Sequence, residues 1–425
     1  MASVQKPTKP RIVVDVGSST IKVHRLEEDG QVKYLKNQSI PFKNNFDPQK
    51  GLALENKQKL FDFVDQIKNE YTSFPIKIYA TAIFRKLEPL AKRVLLHEFF
   101  ERTRLYLNIV EQDLENFYLE KALVGKAEIG EPLLLINIGG GSTELVLIKD
   151  REVVERKNLD LGVGTVNEKF PGINSSFSQV SLGEVAGFIK DFLPPLSSEP
   201  RVAFYSGGEL TYMKLALYPL IPNLLFADSD HPTLIHFSDF QIKNQKVFQA
   251  TTLEQLEGLM PENPSWMHGA RGCSAIAQAI GEKYGLEFLI PSDSNLAHGV
   301  NRQELRSITL SGSFRKHLPY ILEVKKVVEE MDIKVLSPRF AEPKNPGEEF
   351  VVFTGEEGLS PLALERYHLE SIEKSDALIV CDPQGYVGAS ALIEIGFAQS
   401  LGKRIIFTEK PEEFMLNTLP AEIGF

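Results

Sequence analysis

Leu134-Leu135-Ile136-Asn137-Ile138-Gly139-Gly140-Gly141-Ser142-Thr143-Glu144-Leu145 is the stretch that decides the fold. An apolar run enters three glycines and two hydroxyls, then leaves through Val146-Leu147-Ile148. That pattern reads as a strand, a tight turn and a returning strand. Glycine opens backbone conformations closed to other residues, so several N–H groups can converge on an anion. Ser142 and Thr143 are expected to add hydroxyl donors there, with Glu144 beside them. A plain hairpin needs one glycine, so three favour a phosphate-binding turn over an inert one.

The device recurs. Ile12-Val13-Val14-Asp15-Val16-Gly17-Ser18-Ser19-Thr20-Ile21-Lys22-Val23 is again a strand, a small hydroxyl-rich turn and a returning strand. Ala203-Phe204-Tyr205-Ser206-Gly207-Gly208-Glu209-Leu210 is a looser third copy leading into a helix. Three such turns, each after a buried-type strand, are a stronger signal than any one.

The chain has 425 residues, 43% hydrophobic and 24% charged. That length exceeds one ordinary core, and the composition is that of a globular protein. A net charge of -10 argues against general nucleic-acid or anionic-membrane binding. An anionic ligand must therefore be held by local donors. Cys273 and Cys381 lie in apolar surroundings and read as buried thiols. Met1–Pro10 reads as a tail without a signal-peptide core, and no apolar run approaches membrane-spanning length. The expected location is cytoplasmic. No His-Glu-x-x-His spacing indicates zinc, and Trp266 is isolated from any aromatic–basic interleaving.

In chain order, strands are expected at 11–24 and 32–40, a helix at 58–71, a strand at 76–80, and a helix at 90–103. A strand at 106–110, a helix at 114–124 and the central hairpin at 133–149 follow. A strand at 151–160, a turn at 161–164, a helix at 181–193, a strand at 201–206 and a helix at 211–217 come next. Residues 218–265 carry prolines and polar residues and show no firm element beyond a helix at 253–260. A helix at 270–284 and a strand at 287–291 close this part. From 307 the pattern restarts, with strands at 308–311, 333–337, 377–381 and 404–407. Helices at 317–331, 362–374 and 391–401 alternate with them, and a loop spans 338–361. Such alternation indicates layered α/β architecture. The units are a tail (1–10), two subdomains (11–130 and 131–303) and a doubly wound domain (307–425).

The Val14–Ser19 turn, the Asn137–Leu145 run and Ser206-Gly207-Gly208 together resemble the exopolyphosphatase/guanosine pentaphosphate phosphatase family. Ala80-Thr81-Ala82-Ile83-Phe84-Arg85 looks like its segment ending in a functional arginine, and Ser292–Val300 is similar to its closing segment. The resemblance implies an actin/hexokinase-like fold with two subdomains closing on a phosphate cleft. It also implies Mg2+ there, with Asp15 as a metal-side carboxylate. The candidate ligand-binding residues are Asp15, Gly17, Ser18, Ser19, Thr20, Asn137, Gly139, Gly140, Gly141, Ser142, Thr143, Glu144, Gly207 and Gly208. Two departures stand out. The family has Asp where this chain has Asn137, and an amide is a poor ligand for a hard cation. Where the family places its water-activating glutamate, Glu111-Gln112-Asp113-Leu114-Glu115 puts Leu114. If hydrolysis survives, Glu115, Glu111 or Asp113 must supply the base, with Arg85 assisting. A binding relic is preferred to an active phosphatase.

Residues 307–425 look like the nucleoside 2-deoxyribosyltransferase-like superfamily, through Leu310–Arg315, Ser375–Val380 and Gly385–Ala398. The resemblance gives a flavodoxin/Rossmann-like domain without a cofactor. Its matching glutamate, Glu394, attacks the anomeric carbon, a role suited to oxocarbenium-like charge. Ser311, Gly312, Ser313, Arg315, Gly388 and Ser390 are the candidate ligand contacts. The alternative for Glu394 is a residue that only favours its helix N-terminus. His368 stands where an Asp is common and is either a ligand contact or a helix-surface residue.

The sequence reading is therefore a phosphorylated-ligand module fused to a nucleotide-glycoside module. The ligand would be polyphosphate, a guanosine alarmone or a nucleotide, and a homodimer is the assembly kept open. Its rivals are an active exopolyphosphatase or pentaphosphate phosphohydrolase with a degenerate appendage, and a non-catalytic sensor.

Overall fold

A computed structural model describes residues 10–123, 130–150, 152–207, 209–226, 231–345, 348 and 350–424. Most of the tail and Gly208 fall outside the described residues, as do the expected helix end at 124 and strand start at 151.

The first unit is a five-stranded sheet, β3-β2-β1-β4-β5, of Arg11–Val16 (β1), Thr20–Leu26 (β2), Val32–Ser39 (β3), Ile76–Ala80 (β4) and Leu107–Ile109 (β5). β1 pairs antiparallel with β2 and parallel with β4. Its near-continuous apolar run suits a strand covered on both faces. Ile12, Val14 and Val16 pack toward helices Leu54–Glu70 and Pro89–Thr103. Val13 packs the opposite way, with Leu114, Tyr118, Leu296 and Val300.

The second unit repeats this order with an extension. Its strands are Leu133–Ile138 (β6), Thr143–Lys149 (β7), Glu152–Leu159 (β8), Val202–Ser206 (β9), Ile221–Pro222 (β10), Thr233–His236 (β11) and Phe288–Ser292 (β12). They run β10-β11-β12-β9-β6-β7-β8. The β6–β7 hairpin beside parallel β9 copies the β1–β2 hairpin beside β4. Helix Gln112–Leu123 serves both units. Its Leu114 and Tyr118 face the first sheet, while Leu119 and Leu123 pack with Leu133 and Leu135 of the second. It consequently carries side chains into the space between them.

The third unit contains Ser307–Gly312 (β13), Lys334–Ser337 (β14), Ala377–Cys381 (β15), Arg404–Phe407 (β16) and Glu422–Ile423 (β17). All are parallel, in the order β14-β13-β15-β16-β17. The expected boundary at 303–307 is a fastened joint. Glu304 accepts from Tyr79 at 2.9 Å and pairs with Arg11 at 3.3 Å and with Arg404. Glu422 pairs with Lys77 and with Arg404. Burial would push Glu304 up, but the Arg404, Lys77 and Arg11 charges outweigh it and hold it well below the usual carboxylate range.

Several expectations are corrected. The turn expected at 161–164 opens helix Val163–Lys169. The unread 218–265 segment contains helix Phe237–Ala250, whose buried Phe237, Phe240, Asn244, Val247 and Phe248 form one face. The helix expected from 317 starts at Phe314. Among the described residues, no helix is long and apolar enough to cross a membrane.

Candidate functional site

The β1–β2 and β6–β7 turns close in the same way, Gly17 N donating to Thr20 O at 3.0 Å and Gly139 N to Ser142 O at 2.8 Å. They meet face to face, since a Cβ on Gly140 would lie 3.1 Å from Ser19 Oγ. With the end of β9 they border a cleft of about 620 Å3. Asp15, Gly17, Ser18, Ser19, Thr20, Asn137, Gly139, Gly140, Ser142, Glu144 and Gly207 all line it. Ser18 is 5% exposed, and its Oγ has no hydrogen-bond partner among the described residues. A buried hydroxyl left so is a cost that a ligand oxygen would remove.

Two expected contacts are corrected. Thr143 is fully buried and donates away from the cleft, to Leu161 O at 2.6 Å. Gly141 is not part of the lining. It lies against Lys43, which donates to Gly140 O at 2.6 Å. The glycine requirement extends to an unpredicted position, Gly162, where a Cβ would sit 2.5 Å from Gly141 N. Val163 N and Gly164 N then donate to Gly139 O and Gly140 O, fixing the turn from behind.

Carboxylates dominate the cleft's charge. Glu144 is 1% exposed and accepts from Asn137 Nδ2 at 2.9 Å, Ser142 Oγ at 2.6 Å and Gln112 Nε2 at 3.2 Å. Burial pushes it up to about 7, and the Glu115 charge adds to that. Burial likewise pushes Asp15 up to about 6, against the Lys22 charge. Glu209, at the start of helix Glu209–Leu215, is pushed up to about 7 by burial and accepts from Cys273 Sγ at 3.2 Å.

Glu115 lines the cleft, whereas Leu114, expected where the resemblance implies a glutamate, is buried. Glu111 and Asp113 border a different gap, between the first unit and the third. Arg85 is not a lining residue. It sits behind Glu115, paired with it, and donates to Gln112 Oε1 and to Val110 O. Both Glu144 oxygens are taken by protein donors, and no group of three His, Cys, Asp or Glu among the described residues could hold a metal. The donor set does not fit a protein-built Mg2+ cage around Asp15, so no step is derived through one.

A separate cavity of about 390 Å3 lies in the third unit, lined by Gly312, Ser313, Arg315, Gly388, Ser390 and Glu394. Ser311 is fully buried in β13 and is not among its lining residues. Glu394 sits in the second turn of helix Ala389–Ser400, not at its start, so a helix-end role does not describe it. His368 is 8% exposed rather than on a helix surface. Its Nδ1 meets Ser337 Oγ at 2.7 Å, and its Nε2 lies 3.3 Å from Glu394 Oε2. Burial pulls His368 down, but the charge and hydrogen bonding of Glu394 together with the Glu365 charge outweigh it and leave the imidazole above its ordinary value.

Repeated hairpins closing on one hydroxyl-rich cleft admit comparison with known proteins. Residues 58–173 match the Ppx/GppA phosphatase family. The matched span runs from helix Leu54–Glu70 through the central hairpin, and so includes Arg85, Glu115 and Glu144. A curated relative, the bifunctional 3-dehydroquinate synthase/phosphatase of Fusobacterium nucleatum, is 21% identical over 262 residues. The alignment covers 58% of this chain and 38% of that protein, so the chain spans about two fifths of its relative's length. The crystal structure of an exopolyphosphatase from Cytophaga hutchinsonii superposes with a TM-score of 0.56 at 14% identity, covering 69% of this chain and 96% of that one. The Aquifex aeolicus PPX-GPPA enzyme gives 0.51 at 17%, covering 68% and 98%. The α/β fold is thus shared with exopolyphosphatases.

The sequence reading missed Lys22, Gln112, Glu209 and Gly162. Glu209 follows the third glycine turn directly, and Lys22 lies on the strand leaving the first, so proximity to the turns was the available signal. Gly162 stands in the turn expected at 161–164, whereas Gln112 is set by tertiary contact and had none.

Proposed function

We propose that residues 11–303 bind the phosphate end of a phosphorylated ligand between the glycine turns, in a Ppx/GppA-like module of weakened hydrolytic power. The unpartnered Ser18 hydroxyl, buried where two equivalent turns meet, is the observation that carries this reading. Hydrolysis of a phosphoanhydride needs a positioned water, a base and charge neutralisation. Glu115 is the carboxylate placed to serve as base, yet Arg85 holds it in an ion pair. Asn137 offers an amide in place of the family's metal-side carboxylate. Polyphosphate, a guanosine alarmone or a nucleotide would be the ligand, in a cytoplasmic protein.

A phosphate-release assay with inorganic tripolyphosphate and guanosine nucleotides, with and without Mg2+, tests this. Binding without turnover above a Glu115→Gln background is the expected result. Mg2+-dependent release abolished in Glu115→Gln would replace the weakened module with a working phosphohydrolase.

For residues 307–425 the reading is an N-glycoside hydrolase or transferase acting through Glu394. It is favoured by the buried Glu394–His368 pair in its own cavity, beside the end of β13 and the loop that follows β15. Open parallel sheets place ligands at such strand ends, where the winding direction reverses. Free-base release from a nucleotide panel, lost in Glu394→Gln, is the expected outcome. No release from any member would remove this module from the account.

A further inference from the structure

We propose that the cleft takes a nucleotide rather than a bare polyphosphate chain, its base stacked on Trp266 and its phosphates at the glycine turns. This rests on the phosphate reading above and narrows it to a ligand class.

Charge is the first argument. Asp15, Glu115, Glu144 and Glu209 line the cleft, while Lys22 is the one lining Lys or Arg among the described residues. Lys43 is engaged by Gly140 O, and Arg85 is held behind Glu115. A polyphosphate chain carries about one negative charge per phosphate along its whole length. Such a chain needs a succession of cations, and this lining would repel all but the end held by the turns.

The second argument is the opposite wall. The turn Pro264–Gly269 carries Trp266, which packs on the second unit's core and also borders the cleft. Asn263, just ahead of this turn, reaches the first unit, donating to Asn37 Oδ1 at 2.8 Å and meeting Ser39 Oγ at 3.5 Å. Trp266 is therefore held at a place where the two units meet. Pro41 and the largely buried Tyr212 and Met267 also border the cleft. A flat aromatic ring in a cleft of about 620 Å3 suits a planar base, and that volume lies within the range of small-ligand sites. Sequence alone gave Trp266 no role because its immediate neighbours, Ser265 and Met267, are neither basic nor aromatic.

Trp266 is the chain's only tryptophan, so its fluorescence reports on this wall alone. The full-length protein would be titrated with guanosine diphosphate, adenosine diphosphate and base-free inorganic tripolyphosphate, by fluorescence and calorimetry. Nucleotides are expected to bind more tightly than tripolyphosphate and to quench Trp266. Trp266→Ala should weaken nucleotide binding about tenfold or more while leaving tripolyphosphate unchanged, with Trp266→Phe restoring most of the loss. Retained tripolyphosphate binding in Trp266→Ala shows that the variant is folded. Tripolyphosphate binding at least as tightly as either nucleotide, with no effect of Trp266→Ala on the nucleotides, would overturn this inference and leave the phosphate reading standing. Binding of none of the three probes would overturn both.

Discussion

Asn137 and Glu144 are direct cross-strand partners on β6 and β7, and the Asn137 amide donates to Glu144 Oε2 at 2.9 Å. The amide supplies a donor where a second carboxylate would bring repulsion. Asn137 is in this way built into the cleft's hydrogen bonding, since Glu144 also draws on Ser142 and Gln112.

Replacing Asn137 by Asp sets a half-buried carboxylate opposite the buried Glu144. Like charges so placed destabilise, by about 1–3 kcal/mol once the donor is lost as well. Thermal unfolding at pH 8 and pH 5.5 checks this. The Tm of Asn137→Asp is expected to fall more at pH 8, where both groups ionise. An equal deficit at both pH values would contradict the pairing.

Glu209 has its folded value raised to about 7 from an ordinary 4.5. The folded state therefore binds more protons than the unfolded chain between those values. Its contribution is fully present below pH 4.5 and is lost as pH rises through 7. His24 opposes this: burial lowers it to about 3, so its contribution is present above 6.5 and lost as pH falls. The difference between wild type and Glu209→Gln separates the two. Relative to wild type, Glu209→Gln should gain stability as pH is raised from 5 to 8, by a few kcal/mol at most. A pH-independent difference would contradict the shift.

Gly162→Ala tests the backing of the phosphate turn. The added Cβ would meet Gly141 N at 2.5 Å and Gly139 O at 2.6 Å, both rigid backbone. A loss of about 1–3 kcal/mol in chemical denaturation is expected, together with loss of tripolyphosphate binding. Wild-type binding in a fully stable Gly162→Ala would contradict the proposed rigidity.

Glu304→Ala leaves Arg404, Arg11 and Lys77 without their shared anion at the joint. Removing one partner of such a cluster costs about 3 kcal/mol. Differential scanning calorimetry should show the third unit melting separately, with new protease cleavage near 303–307. An unchanged single transition would mean that Glu422 and the apolar contacts suffice.

The fold was legible where apolar runs alternate with turns. All four strands expected in the third unit appear, because buried parallel strands read as plain hydrophobic runs. Helix Phe237–Ala250 escaped because Asn244 interrupts its apolar face. Asn244 is itself buried, accepting from Tyr218 and donating to Gln278, which only the fold reveals. The glycine turns were legible from their composition, but side-chain direction was not. Thr143 points to Leu161 and Arg85 to the back of Glu115, because each answers to a residue distant in sequence. His368 could be read as a ligand contact or a surface residue for the same reason, its neighbours Ser337 and Glu394 lying 31 and 26 positions away.

In the proposed phosphate site between the turns, Ser18 is a waiting donor. Calorimetric titration of inorganic tripolyphosphate into wild type and Ser18→Ala tests it most directly. Wild type is predicted to bind, and Ser18→Ala to bind about tenfold more weakly, as expected for losing a hydrogen bond to a charged group. Its unliganded Tm should not fall, because the lost hydroxyl has no partner to leave behind. Failure of the wild type to bind, or equal affinity in Ser18→Ala, would contradict the account.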